Sequence, residues 1–483
     1  MAGITIKEKV LMEYHQSKGS TDFESSAKIS DIPVKYIRNN IEGMPDLSEP
    51  EAVRHFTRLS SMNYSLDLGM YPLGSCTMKY NPKVMEAVAS YEGFSSLHPM
   101  LPRTMVQGVL KLLYETEQYL KVVTGMESFS LQLAAGAHGE LAGMLMIAKY
   151  HKVNNTGKHT IIIPDTAHGT NPASAAMAGF KVVNVPSGKY GMIEADTIKH
   201  FINEDTAGIM LTVPNTLGIF ESQILDITTL IHEAGGLVYI DGANFNALLG
   251  RARYGDMGAD VVHLNLHKTF ATPHGSGGPG AGVIGVSSRL KDYLPTPIIK
   301  RKGRRFVFTD DVKYTIGKLV SFYGNIGVII RAYTYMRMLG IRGTKQVSGV
   351  AALNANYIRA MLQDDYNLPY RTPTLHEVVF NDAYQNEYGV KTMDIAKRLI
   401  DYGFHPPTVY FPLIVHGAIM IEPTETESRN ELDRFIAAMK AIAKEAKTDP
   451  QLLLNAPHTA PVRRVDEVKA ARELKLVYRK YSG

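Results

Sequence analysis

Lys268 closes an apolar run, Val261 to Leu266, and stands before a glycine-rich segment that extends to Gly282. Four apolar residues among the first six positions read as a buried strand that ends on His267 and Lys268. The segment Gly275-Ser276-Gly277-Gly278-Pro279-Gly280 forbids regular structure and lets backbone come close to a ligand. An amine at the end of a buried strand loses its proton more easily than a solvated one, and the free amine attacks carbonyl carbon. The chemistry this suggests is a Schiff base with pyridoxal phosphate (PLP). A lysine whose stem snorkels at a strand end is the other reading.

Polar clusters of the same kind follow other apolar runs. They are Asp165-Thr166-Ala167-His168-Gly169-Thr170-Asn171-Pro172, then Pro214-Asn215-Thr216-Leu217-Gly218, then Asp241-Gly242-Ala243-Asn244. Each alone serves as a helix cap or a turn. Together with Lys268 they mark one functional edge. Ala134-Ala135-Gly136-Ala137-His138-Gly139-Glu140 leads into a helical pattern. Free N–H groups and the positive helix end make it a candidate phosphate site, although a tight strand-to-helix turn uses the same residues. A proline-bounded loop, Tyr71 to Pro82, is dense in small polar side chains, and His98-Pro99 lies in a similar loop. Such loops either carry function or simply connect.

The elements that must position these groups alternate. Strands are expected at Ser128 to Leu133, Thr160 to Pro164, Lys181 to Val185, Ile209 to Val213, Leu237 to Ile240, Val261 to Leu266 and Gly282 to Val286. Helices are expected at about 103–124, from Gly136 to near Tyr150, and at about 172–179, 194–203 and 224–234. Strands this apolar, joined by crossovers, predict an α/β fold with a parallel sheet buried on both faces and its site at the carboxyl edge. Beyond residue 330 come helices at about 328–339 and 348–363, strands at His376 to Phe380 and Ala418 to Ile421, and a helix from Arg429 to Glu445. The expected division is an N-terminal arm (1–70), a large domain (71–330), a smaller α/β domain (331–445) and a tail (446–483) ending in a basic amphipathic helix.

At 483 residues the chain exceeds one compact core. A hydrophobic share of 45%, a charged share of 20% and a net charge of +5 describe a globular chain with no pervasive nucleic-acid character. The basic run Lys300 to Arg305 reads as a solvated loop or a patch for an acidic protein, ahead of a nucleic-acid patch. The single cysteine, Cys76, excludes an intrachain disulfide and a cysteine zinc cluster. No metal is expected. No signal-like or membrane-spanning apolar run occurs, so a cytoplasmic location is expected.

Several stretches resemble one family. They are Pro72-Leu-Gly-Ser-Cys-Thr-Met-Lys-Tyr-Asn-Pro82, the 134–140 turn, Pro164 to Ser174, Leu211-Thr-Val-Pro-Asn-Thr-Leu-Gly218, Val238 to Asn244, Leu264-Asn-Leu-His-Lys-Thr-Phe270, and Ala456 to Pro461 with Ala470-Ala471-Arg472. In order along the chain, they are similar to the β subunit (subunit 2) of two-subunit glycine decarboxylases, the P-proteins of glycine cleavage systems. Leu133 stands where that family often has Pro, and Ser276 interrupts a run that is often all Gly. The resemblance implies fold-type-I PLP architecture with Lys268 carrying the cofactor, His168 stacked on its ring and Asp241 paired with the ring nitrogen. Asn215 or Thr216 would reach the ring hydroxyl. Backbone at Gly136 and Ala137, with His138 or His267, would hold the phosphate, and Ala243 would line the ring. Ser75, Cys76 and His98 would lie toward the substrate, although Cys76 reads first as a small buried residue. The implied reaction is oxidoreductase chemistry: decarboxylation of glycine and transfer of its aminomethyl carbon to the lipoyl disulfide of H-protein. The implied partners are an α subunit (subunit 1), in an expected α2β2 assembly, and lipoylated H-protein. The rival readings are a stand-alone PLP-dependent decarboxylase or lyase, and a non-catalytic sister subunit, against which Lys268 argues.

Overall fold

The structure, a computed structural model, describes residues 8–13, 32–37, 45, 47–275, 280–474 and 476. Ser276, most of its glycine-rich run, much of the arm and the expected basic end of the tail lie outside them. The apolar strands assemble into one seven-stranded sheet. Its strands are β1 (Ser128–Leu133), β2 (Thr160–Pro164), β3 (Lys181–Val185), β4 (Thr206–Thr212), β5 (Leu237–Asp241), β6 (Val261–Asn265) and β7 (Gly282–Val286). Their order is β1-β7-β6-β5-β4-β2-β3. Strands β6, β5, β4, β2 and β3 pair in parallel, whereas β7 runs antiparallel to both β6 and β1. The sheet is therefore mixed, not wholly parallel. Between β6 and β7 the described chain offers only the one-turn helix Leu266–Thr269, too little to carry it back for a parallel return. The expected burial on both faces also fails at the edge: Lys181 and Asn184 of β3 are exposed.

Alternation along the strands sends side chains to two cores. Val238 and Ile240 of β5 join Leu131, Ile209 and Leu264 on one face, and Leu237 and Tyr239 join Ile161, Met210 and Val261 on the other. Each fully buried aliphatic side chain contributes roughly 1.5–3 kcal/mol, so the sheet is a rigid platform. The helix expected from 103 runs Gln107–Thr124 and stops where Gly125 takes φ 74°. The basic run forms a hairpin, β8 (Ile298–Lys302) with β9 (Arg305–Thr309), where a loop was expected.

The helices expected at 328–339 and 348–363 are two helices of the span Ile326–Leu362, which meet at a kink at Gly340 (φ 56°, ψ −168°). The first passes through the expected boundary at 330. Beyond it, β10 (Val378–Asn381), β11 (Thr408–Val409) and β12 (Ala418–Ile421) form an antiparallel sheet in the order β10-β12-β11. Helix Arg429–Thr448 packs its Leu432, Phe435, Ile436 and Met439 into the core beneath. His376 and Glu377, expected inside a strand, lie just before β10. In the arm, helix Glu49–Ser61 buries only His55 and leaves Val53 and Phe56 exposed. Among the described residues no helix is long and apolar enough to cross a membrane.

Candidate active site

The carboxyl ends of β2, β4, β5 and β6 share one edge of the sheet, and the candidate residues gather there. Strand β6 stops at Asn265, so Lys268 stands on the one-turn helix Leu266–Thr269 and not on the strand itself. Lys268 is half-buried there. The backbone leaves this turn through Ala271 at φ 56°, a left-handed conformation that costs a non-glycine residue about 1 kcal/mol or more. Asn81 holds it there by donating to the Ala271 carbonyl at 2.7 Å. The Lys268 charge acts on Cys76, Asp241, His267, His274, His376, Glu377 and Glu422.

Asp241 ends β5 with 3% of its surface exposed. Its Oδ2 accepts from Asn171 Nδ2 at 3.0 Å, its Oδ1 accepts from the Ala243 N–H at 2.9 Å, and His263 Nε2 lies 3.4 Å away. Burial alone pushes this carboxyl upward. His263, the two hydrogen bonds and Lys268 outweigh it and hold Asp241 below the usual carboxylate range, so it is an anion. A second carboxylate extends the network: Glu140 accepts from Asn171 Nδ2 and Thr170 Oγ1, both at 2.9 Å. Thr170 Oγ1 in turn meets His168 Nδ1 at 2.8 Å. His168 is exposed, its ring edge-on to Phe411 at a centroid distance of 5.5 Å. Ala243 thus spends its N–H on Asp241.

Helix Gly136–Val153 opens with its first N–H groups at the same edge. A Cβ on Gly136 would lie 2.3 Å from Asn265 Nδ2, so only glycine lets this turn close against β6. His138 Nδ1 accepts from the Ala134 N–H at 3.3 Å, which leaves its Nε2–H as a donor, and burial keeps the ring neutral. Burial, then His274 and Lys268, push His267 down to about 3. Burial and Lys268 likewise push His274 down to about 4. Both imidazoles are neutral donors or acceptors at pH 7. Beside them the Thr269 and Thr272 hydroxyls and His274 Nε2 are buried without a hydrogen-bond partner among the described residues. Such orphaned groups fit a polar ligand seated against Lys268.

The Asn215 side chain is engaged within the protein: its Nδ2 donates to Gly191 O and Glu221 at 2.7 and 2.8 Å, and its Oδ1 accepts from the Leu217 and Ile219 N–H groups. Thr216 donates to Thr166 O at 2.6 Å and keeps only lone pairs. His98 is exposed and edge-on to Phe322, and among the described residues no hydrogen bond or ion pair ties it to Lys268.

The loop 71–82 is a clamp between the two sheets. Leu73 bridges to Ile421, Thr408 Oγ1 donates to Gly74 O at 2.7 Å, and the buried Lys79 ammonium meets Glu425 at 2.7 Å. This brings Ser75 and Cys76 to the Lys268 side. Three residues that sequence reasoning passed over meet them there. His376, Glu377 and Glu422 are fully buried and place one ligating atom each within 4.8 Å of one another. The available signal was a carboxylate abutting an apolar strand run at Glu377 and at Glu422. Glu140, Asp241 and His263 form a second such group, but hydrogen bonds occupy all four carboxylate oxygens there.

Comparison with known proteins places this geometry. The family "Glycine cleavage system P-protein" matches residues 8–303, and "Glycine dehydrogenase, C-terminal domain" matches residues 347–458. A probable glycine dehydrogenase (decarboxylating) subunit 2 of Chlorobium phaeovibrioides is 52% identical over 468 residues, 96% of each chain. That of Caldanaerobacter subterraneus is 54% identical over 442 residues, 91% of each chain. Among solved structures, an inhibitor-bound glycine decarboxylase (P-protein) superposes with a TM-score of 0.71 at 19% identity, covering 85% of this chain and 93% of that one. The Escherichia coli cysteine desulfurase CsdA shares the fold with a TM-score of 0.60 at 16% identity, over 78% and 95% of the chains. From the matched stretches 8–303 and 347–458 and from half-identity along nearly its full length, this chain belongs to the glycine cleavage system P-protein family.

Proposed function

We propose that this chain is the catalytic subunit 2 of a glycine dehydrogenase (decarboxylating), a PLP-dependent oxidoreductase of the glycine cleavage system. The observation that carries this is the convergence of the Lys268 amine, the Asp241 anion and the Gly136 helix start at one sheet edge. The orphaned polar atoms and the glycine-only turn beside Lys268 fit the cofactor. When bound, PLP supplies an electron sink for the pair left behind as CO2 leaves glycine. The chain's own groups do the rest. Lys268 Nζ is the amine that would hold the cofactor by its aldehyde, and it would stand beside the reacting atoms as an acid or base. Asp241 supplies a fixed negative charge that keeps a proton on the ring nitrogen. His168, exposed at its turn, would cover one face of the ring and fix its plane, which would select the bond that breaks. The Gly136 and Ala137 N–H groups, with His138 or His267, hold the phosphate. Ser75 and Cys76 line the approach for glycine and for the lipoyl arm of H-protein.

The reading includes a partner, subunit 1, in an α2β2 assembly, a cytoplasmic location, and the division 1–70, 71–330, 331–445 and 446–483, with Gly340 as the natural hinge near the second boundary. The arm supports this, because its helix buries so little on its own. An obligate interface of this kind buries upward of about 2,000 Å2.

The test is the absorbance of the purified protein with PLP, then borohydride reduction and peptide mapping. The phosphopyridoxyl label is expected on Lys268. A label on Lys79 or Lys300 refutes the assignment. Glycine–bicarbonate carboxyl exchange with lipoylated H-protein is expected only after subunit 1 is added. Full activity from the chain alone moves the reading to a stand-alone PLP-dependent decarboxylase or lyase.

A further inference from the structure

We infer that Asn81 is the positioning residue of the Lys268 turn: its side-chain amide fixes the left-handed backbone of Ala271, and with it the backbone from which the Lys268 side chain extends. This rests on the assignment of Lys268 above and gives a role to a residue outside it.

The strained point lies just past Lys268. The turn Leu266–Thr269 closes on Phe270, whose N–H donates to Leu266 O at 3.2 Å. Ala271 then takes φ 56°, and its own N–H donates to Lys268 O at 3.3 Å. A residue with a Cβ avoids this conformation, and it persists only where the surroundings impose it. That N–H contact is long, so the carbonyl side decides. Ala271 O accepts from Asn81 Nδ2 at 2.7 Å, across 190 positions of sequence. Asn81 is the only donor to this carbonyl among the described residues. Phe270, Ala271 and Thr272 are all fully buried, so the exit of the turn is packed as well as bonded.

A side chain holds strained backbone only from a fixed base, and Asn81 has one. Its Nδ2 also donates to Lys79 O at 3.2 Å. Both amide hydrogens thus meet backbone carbonyls, and the flipped amide would set an oxygen against each. The loop behind Asn81 is bound to the segment that follows β12. The Thr77 N–H donates to Glu422 at 2.9 Å, the Lys79 ammonium to Glu425 Oε1 at 2.7 Å and the Tyr80 N–H to Thr426 Oγ1 at 3.1 Å. The Tyr335 hydroxyl donates to the same Glu425 oxygen at 3.0 Å. The Lys79 side chain is fully buried, so salt screens this pair little. On the far side, Pro82 narrows the backbone freedom of Asn81. Helix Lys83–Ala89 begins there, and Arg331 donates to both Glu86 carboxylate oxygens at 2.7 Å.

Two parts of the chain therefore meet at one hydrogen bond. The C-terminal sheet fixes the loop, the loop fixes Asn81, and Asn81 fixes the exit of the Lys268 turn. Without the amide donor, Ala271 relaxes toward right-handed or extended backbone, and the turn that carries Lys268 shifts with it. With Ala271→Gly the left-handed conformation carries no strain, so the turn keeps its form with or without the amide.

The experiment is a double-substitution cycle on the full chain with subunit 1 present. Asn81→Ala and the near-isosteric Asn81→Asp, which has no amide proton to donate, are each made in the wild-type and in the Ala271→Gly backgrounds. PLP affinity is titrated by the absorbance of the Lys268 linkage, borohydride reduction and peptide mapping locate the label, and thermal melting follows the fold. In the wild-type background both substitutions are expected to lower PLP affinity about tenfold or more while cooperative melting is kept. In the Ala271→Gly background the same substitutions are expected to cost less than about twofold. A residue that merely braces the loop would cost the same in both backgrounds, and that result overturns the inference. So does an unchanged affinity in the wild-type background. If neither variant folds there, the role is structural and the inference falls. Each of these outcomes leaves the site reading intact. A label away from Lys268 in the unsubstituted protein overturns the site reading itself.

Discussion

Asp241 and His168 sit in one hydrogen-bonded chain, through Asn171, Glu140 and Thr170, yet face different environments: Asp241 is buried and ionised, His168 exposed. Their substitutions should separate accordingly. Asp241→Ala is expected to lower the decarboxylation rate on the order of 10²–10³-fold, as loss of one preorganised charge does, with a smaller loss of PLP affinity. His168→Ala should weaken binding and rate together. Rates beside PLP titrations distinguish them, and a normal rate in Asp241→Ala refutes its role. Cys76 is half-buried, and burial raises its thiol, opposed by Lys268 and helped by Glu422 and Glu377. It should be alkylated at neutral pH about tenfold or more slower than a free thiol, and slower still with PLP and glycine present. Rapid labelling of the native protein would contradict the buried placement.

At the scale of elements, the start of helix Gly136–Val153 and the β6 end are locked by a single missing Cβ. Gly136→Ala brings a methyl to 2.3 Å from Asn265 Nδ2, so the turn must open and its N–H groups move. PLP affinity should fall by at least about tenfold, roughly 1.4 kcal/mol, as read by a cofactor titration. Helix Gln107–Thr124 carries a pH dependence of its own. Glu117 is buried, accepts only weakly from the Phe129 N–H at 3.3 Å, and burial raises it from 4.5 to about 7. With the folded value raised, its contribution is fully present below pH 4.5 and is lost as pH rises through about 7. Glu117→Gln should remove that slope, a change on the order of 3 kcal/mol between the limits. Melting temperatures across this window measure it, and an unchanged slope means the carboxyl is solvated.

For the whole molecule, apolar surface remains where the large domain meets the Gly340 break. A groove of about 770 Å3 runs past Tyr119, Val123, Met336 and Arg337, flanked by Val122 and Ile341, which are 72% and 84% exposed. Exposed apolar patches of this kind mark interfaces. Ile341→Asp should weaken association with subunit 1 by about tenfold or more in sedimentation. The isolated chain should stay within about 0.5 kcal/mol of its stability, as for a surface change. Unaltered assembly would place the partner elsewhere.

Local pattern alone determined the elements and the chemistry-bearing stretches. Strands β1, β2, β3 and β7 carry the bounds their apolar runs imply, and Lys268, Asp241 and the Gly136 turn were legible because buried-strand ends and small-residue turns are short-range signals. Tertiary structure decided the rest. The antiparallel direction of β7 depends on how the chain returns after Lys268, which composition does not encode. The partners of Asn215, two of them at Gly191 and Glu221, are set by the fold and not by the local motif. Glu377 and Glu422 stand 45 positions apart in the sequence, each an ordinary polar residue at a strand end. Only the pairing of β10 with β12, and the strained loop carrying Ser75 and Thr77, bring the two carboxylates together. Non-local register and hydrogen-bond competition are properties of the folded chain, and they are what turned a readable motif set into a specific site.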